Sequence, residues 1–136
     1  MNSYLRMEAS RLPTLVGTSS PKGFLISNGQ AGMLSYGPYI SLDAGKYVAG
    51  FYARRIGTPE PINITIDIFV DGLEVAAKSI AHQSLFEDLA SFVYLTFELS
   101  DPVVRVECRM YVGAGALIEL RELAIFKADQ RIWSVA

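Results

Sequence analysis

The chain has 136 residues, of which 51% are apolar and 19% charged, and its formal net charge is −2. That length suits one domain, residues 1–136, able to bury roughly two-thirds of its unfolded surface, and the composition excludes disorder. Charges of both signs are interspersed, so no basic stripe invites nucleic acid, and no apolar run approaches the ~20 residues of a membrane helix.

Met1 to Glu8 lacks a basic segment followed by an apolar one, so no secretory signal is read and a cytoplasmic protein is expected. Leu5, Met7 and Ala9 alternate with Arg6, Glu8 and Ser10 as an opening strand does, and Gly23 to Ile26 is a brief apolar strand closed by Ser27-Asn28-Gly29. Met33 to Tyr47 compresses a Gly37-Pro38 turn, the strand Ile40 to Leu42 and the turn Asp43-Ala44-Gly45 into fifteen residues. Tyr36 and Tyr39 flank the first turn and are expected as buried rings that pin it. In the next strand Tyr47, Ala49, Phe51 and Ala53 share one face, with Val48, Tyr52 and Arg54 on the other.

From Ile62 to Val70 every second residue is Ile or Val, with Asn63, Thr65, Asp67 and Phe69 between them. Such period-two alternation suits a half-buried strand and no helix. Asp71-Gly72 is a hairpin turn into Leu73 to Ile80. His82 to Ser91 interrupts the pattern, and Ser84 with Glu87 has capping-box spacing, which predicts one or two helical turns. Strands resume at Phe92 to Leu99 and at Val104 to Val112, where Val106, Cys108 and Met110 face inward and Arg105, Glu107, Arg109 and Tyr111 outward. Cys108, the single cysteine, is therefore expected to be inert core. Ala116 to Phe126 follows, and Trp133, flanked by Ile132 and Val135, is expected to cover a sandwich edge. Short strands joined by turns, with almost no helix, predict an all-β, antiparallel two-sheet sandwich of jelly-roll, galactose-binding-like topology, with a barrel as the alternative.

The run Gly32-x-Leu34-x-Tyr36-Gly37-Pro38-Tyr39-Ile40-x-Leu42-x-x-Gly45-x-Tyr47, the alternating isoleucines and Ile118-Glu119-Leu120 together resemble a jelly-roll domain found beside bacterial glycosyltransferases and in polysaccharide-assembly proteins. That domain looks like a carbohydrate-binding module. The resemblance implies a lectin-like, non-catalytic role, with a polysaccharide and an associated glycosyltransferase as partners. A fainter resemblance, through Met7-Glu8-Ala9-Ser10 and Glu119, is to calcium-stabilised carbohydrate-binding modules. It implies a structural calcium held by Glu8 and Glu119, although Ser10 stands in place of a second carboxylate in the first strand.

Candidate binding residues follow from exposure and chemistry. Arg105, Glu107, Arg109 and Tyr111, with Tyr52, Arg54, Asp67 and Phe69, are read as one outward sheet face where sugar C–H patches stack on rings and hydroxyls meet charged groups. The same face also suits ordinary cross-strand ion pairs or a protein contact. His82 and Glu87 are rim candidates in the long irregular connection. No nucleophile motif or metal spacing is present, and Glu107 with Glu119, on strands read as adjacent, is the one carboxylate pair to consider for glycoside hydrolysis. The reading is a non-catalytic glycan-binding module; the alternative is a structural domain for protein contact or homo-oligomerisation in a polysaccharide-assembly system.

Overall fold

Strand alternation sets the architecture. The computed structural model describes residues 4–128, so Ile132, Trp133 and Val135 lie outside the described residues. Within them run β1 (Tyr4–Glu8), β2 (Gly17–Ser19), β3 (Leu25–Ser27), β4 (Gly32–Ser35), β5 (Pro38–Leu42), β6 (Gly45–Arg55), β7 (Asn63–Val70), β8 (Leu73–Ala81), β9 (Ser91–Leu99), β10 (Val103–Val112) and β11 (Ile118–Lys127). A six-stranded sheet has the order β2-β3-β11-β6-β9 with β1 also on β11; a five-stranded sheet has the order β4-β10-β7-β8 with β5 also on β10. All the pairings are antiparallel. The protein is a two-sheet β-sandwich.

The inward rows meet between the sheets. Tyr47, Ala49, Phe51 and Ala53 of β6 and Leu120, Leu123 and Ile125 of β11 form one wall, and Ile64, Ile66 and Ile68 of β7 with Val106, Cys108 and Met110 of β10 the other. Burying a large aliphatic or aromatic side chain contributes ~1.5–3 kcal/mol, so rows of this kind dominate the stability of the sandwich. Asp71 and Gly72 have φ of 51° and 81°, and this primed turn matches the twist of the β7–β8 hairpin. Burial, helped by the charge of Asp67, pushes the Cys108 thiol up, as befits an unreactive core residue.

Two local expectations are corrected. The helical turn does not start at Ser84: a 3-10 turn spans His82–Ser84, and a second spans Ala9–Arg11. The cause lies in β6, which takes the loop's carbonyls. Arg55 donates from its backbone N to Phe86 O (2.8 Å) and from Nε to Leu85 O (3.2 Å), and Arg54 Nη1 donates to Glu87 O (2.8 Å). Carbonyls turned toward a neighbouring strand are aimed away from the N–H groups that a continuing helix would offer them. Tyr39 is not a buried pin either. Its φ is 63°, and its ring is 42% exposed on the outer face, with Tyr36 half-buried behind the turn.

Candidate functional site

Alternation tells which residues leave the core, but two sheets have two outer faces. Tyr52 and Arg54 belong to β6 and stand on the outer face of the six-stranded sheet. Asp67, Phe69, Arg105, Glu107, Arg109 and Tyr111 belong to β7 and β10, in the other sheet. The single face expected from sequence is thus divided between opposite sides of the sandwich. Glu107 and Glu119 are likewise in different sheets, which removes the carboxylate pair considered for hydrolysis.

On the five-stranded sheet the polar groups satisfy one another. Arg109 binds Asp67 through two bonds (2.8 and 3.0 Å) and lies 3.8 Å over the Phe69 ring, while Arg105 lies 5.3 Å over Tyr39. Glu107 accepts from Gly37 N at 3.3 Å. Two of the rings on this face are therefore already covered by guanidinium groups, with Tyr111 beside them at 39% exposure.

His82 is 1% exposed and faces inward from the rim. Its Nδ1 accepts from Glu60 N (3.2 Å), and its Nε2 donates to Leu117 O (2.9 Å), which ties three connections together. It is a structural residue and not a rim ligand. Glu87 is exposed and forms an ion pair with Arg55 at 3.3 Å.

The six-stranded sheet carries the more open arrangement. Tyr52 of β6 faces Phe92 of β9 with ring centroids 4.8 Å apart, and Phe92 continues to Tyr94 at 5.5 Å and Phe126 at 6.5 Å. Beside Tyr52 a groove of about 270 Å³ runs toward Phe24, with Arg6, Glu8, Lys22 and Arg121 among its lining. Its floor comes from an irregularity in β11. Leu120 pairs with Ala53 and Glu122 with Tyr52, so Arg121 is an extra residue without a partner in β6. That bulge sets Arg121 and Glu122 on the groove together. A larger hollow of about 410 Å³ near Lys46 and Glu98 offers only the Tyr47 and Phe97 rings, both of them buried.

Sequence reading did not single out Phe24, Arg121 or Glu122. A usable signal exists: Ile118 and Leu120 are buried at even positions, and Leu123 and Ile125 at odd ones. A change of parity within one strand marks an inserted residue.

Glu119 does not sit as a free metal ligand. Arg54 holds it through Nε (2.9 Å) and Nη2 (3.0 Å), and Arg121 Nε adds a bond at 2.8 Å. Glu8 stands opposite Glu122 in the β1–β11 register, against Gly23, and Glu122 is ion-paired with Arg6. Among the described residues no group of three or more His, Cys, Asp or Glu could hold a metal ion. Calcium prefers six to eight oxygens with several formal charges, and a carboxylate facing two guanidinium groups does not fit that demand.

The Arg54 bonds, joined by those of Arg121 and opposed by burial, hold the Glu119 carboxyl below the usual range. A folded-state value below the unfolded one of ~4.3 makes its contribution present above that pH and lost as pH falls through the folded value. A Glu119→Gln variant should therefore be less stable than the parent at neutral pH, and the difference should shrink on acidification below about pH 4. Urea unfolding across that range checks it; a difference independent of pH would refute the assignment.

No protein-family model matches the sequence, and no curated protein matches it. Among solved structures, the fold is similar to the C-terminal CBM6 of LamC, a marine laminarinase from Zobellia galactanivorans. The TM-score is 0.62 at 13% identity, covering 91% of this chain and 99% of that one. It is also similar to the carbohydrate-binding module CBM6cm-2 of lichenase 5A from Cellvibrio mixtus, in complex with cellotriose, with a TM-score of 0.60 at 12% identity, covering 95% and 100%. The insecticidal delta-endotoxin Cry8Ea1 of Bacillus thuringiensis matches with a TM-score of 0.53 at 11% identity, covering 91% of this chain and 24% of that one. At these identities the likeness establishes the fold and no more.

Proposed function

We propose that the chain is a non-catalytic carbohydrate-binding module that lays a glycan across the outer face of the six-stranded sheet and holds it near an associated bacterial glycosyltransferase or other polysaccharide-assembly enzyme. The observation that carries this reading is the groove between Phe24 and Tyr52 running into the Tyr52–Phe92–Tyr94 rings. Phe24 beside β3, Arg121 on β11, Tyr52 on β6 and Phe92 on β9 follow the order of the strands across the sheet. At ~4.8 Å per strand they span roughly 14 Å, the length of a short oligosaccharide. Arg121 lies over Phe24 and Lys78 over Tyr94, while no cation covers Tyr52 or Phe92 among the described residues. These two rings are the ones left to accept sugar C–H patches, and the charged lining supplies donors and acceptors for hydroxyls. The likeness to whole carbohydrate-binding modules supports the reading. So does the state of Glu119, whose carboxylate is held ionised by Arg54 and Arg121 and is not arranged to donate a proton.

Tyr52→Ala should weaken glycan binding about tenfold or more while lowering stability by only ~1 kcal/mol, since the ring is partly exposed and loses mainly its contact with Phe92. Affinity electrophoresis in a panel of polysaccharides, with thermal unfolding beside it, measures both. Undiminished binding by the variant would move the site off this face.

A second reading rests on Leu73 and Val104, which are 72% and 65% exposed near one end of the five-stranded sheet. Exposed apolar side chains of this kind suit a protein contact or a second copy of the chain. Sedimentation separates the two readings: a stable dimer that binds no glycan at millimolar sugar would favour the second.

A further inference from the structure

We infer that Arg121 makes this groove selective for acidic glycans, its guanidinium taking a carboxylate or sulfate substituent of the bound chain. The inference rests on the glycan-binding reading above and adds the chemical class of the ligand. Its starting point is the bulge in β11, which spends an extra residue to bring Arg121 onto the groove floor beside Glu122. The side chain is held there at two places. Nε donates to Glu119 Oε1 at 2.8 Å, and the guanidinium lies 5.0 Å over the Phe24 ring. Nη1 and Nη2 make no hydrogen bond among the described residues. A fixed guanidinium with both terminal nitrogens open is prepared for a charge-assisted, forked bond to a planar or tetrahedral anion.

The charge balance points the same way. Arg54 and Arg121 share a single carboxylate, Glu119, so this trio carries one excess positive charge, and its open end is Arg121. Lys22, exposed on the groove wall, has no ion pair or hydrogen bond among the described residues. Against these cations stand Glu122, neutralised by Arg6, and Glu8, which rests against Gly23. A chain of net charge −2 thus turns a cationic group toward the ring platform where sugars would lie.

The test uses matched polymers that differ in charge on one backbone: polygalacturonate against its methyl ester, and dextran sulfate against dextran. Affinity for each is measured at low and high salt for the parent protein, Arg121→Gln, Arg121→Lys and a charge-loss control, Arg11→Gln, whose side chain is exposed on the Ala9–Arg11 turn and does not line the groove. The parent should bind the acidic member of at least one pair about tenfold more tightly at low salt. Arg121→Gln should lose that preference, its affinity for the acidic member falling by a larger factor than its affinity for the neutral one, and Arg121→Lys should retain part of it as a point charge. A preference confined to one pair identifies carboxylate or sulfate as the recognised group. Equal binding of both members, a preference that survives Arg121→Gln, or an equal loss in Arg11→Gln overturns the inference and leaves glycan binding standing. If no polymer binds, both fall. Thermal unfolding of each variant confirms that the comparison is made on folded protein.

Discussion

Gly50→Ala should destabilise the protein by about 3 kcal/mol, the upper end of the cost of overpacking, and lower its unfolding midpoint by roughly 10 °C. Gly50 lies mid-strand in β6, between Tyr94 of β9 and Ala124 of β11, on the outer face. A Cβ there would collide with Val93 O and sit 2.7 Å from Tyr94 Cα. Both are backbone atoms of the adjacent strand, so no rotamer change relieves the clash, and β9 would have to move together with Phe92. The informative comparison is Gly57→Ala. Gly57 has φ of 77° but nothing within 4 Å of its would-be Cβ, so the cost there is only the ~1 kcal/mol of left-handed backbone. Chemical denaturation of both variants gives the ranking. If Gly57→Ala is the more damaging, the close approach of β9 to β6 is wrong.

His82→Ala should have an effect of similar size, with an expected loss of ~2–4 kcal/mol. The imidazole bridges Glu60 N and Leu117 O, while the His82 backbone N donates to Ile62 O at 2.8 Å. Truncation leaves the Glu60 N–H and the Leu117 carbonyl without these partners and opens a cavity where the buried ring stood. His82→Gln, which keeps one donor and one acceptor, should recover part of the loss. Glycan affinity measured on the folded variants should be unchanged, because the imidazole is buried and bonds only to protein backbone. A variant that kept its stability and lost binding would restore His82 to the ligand site.

The contrast between Ile66 and His82 shows what a linear reading can reach. Inward and outward positions along β7 and β10 follow from side-chain alternation, a property of each strand alone, and the sandwich follows from its repetition. Which sheet a strand joins depends on pairings between distant segments. Tyr52 and Arg109 therefore look equivalent along the chain and stand on opposite sides of the molecule. His82 was unreadable for a related reason: its two partners are 22 and 35 residues away, and a loop residue's burial is decided by what folds over it. Arg54 has the features of a binding residue in sequence, a forked donor on an outward position, but Glu119 and the Glu87 carbonyl occupy it. The shift in parity between Leu120 and Leu123 lay in plain view, and through it sequence could have added Arg121 and Glu122 to Tyr52, the site residue that alternation did supply.

The bulge in β11 also makes position 121 a place where chemistry can be exchanged independently of architecture. An unpartnered residue makes no demand on strand register, so a different side chain there would leave Leu120 opposite Ala53 and Glu122 opposite Tyr52. Saturation at this one position gives a compact library in which the scaffold stays constant and only the groove floor varies, a practical starting point for retuning what the face selects.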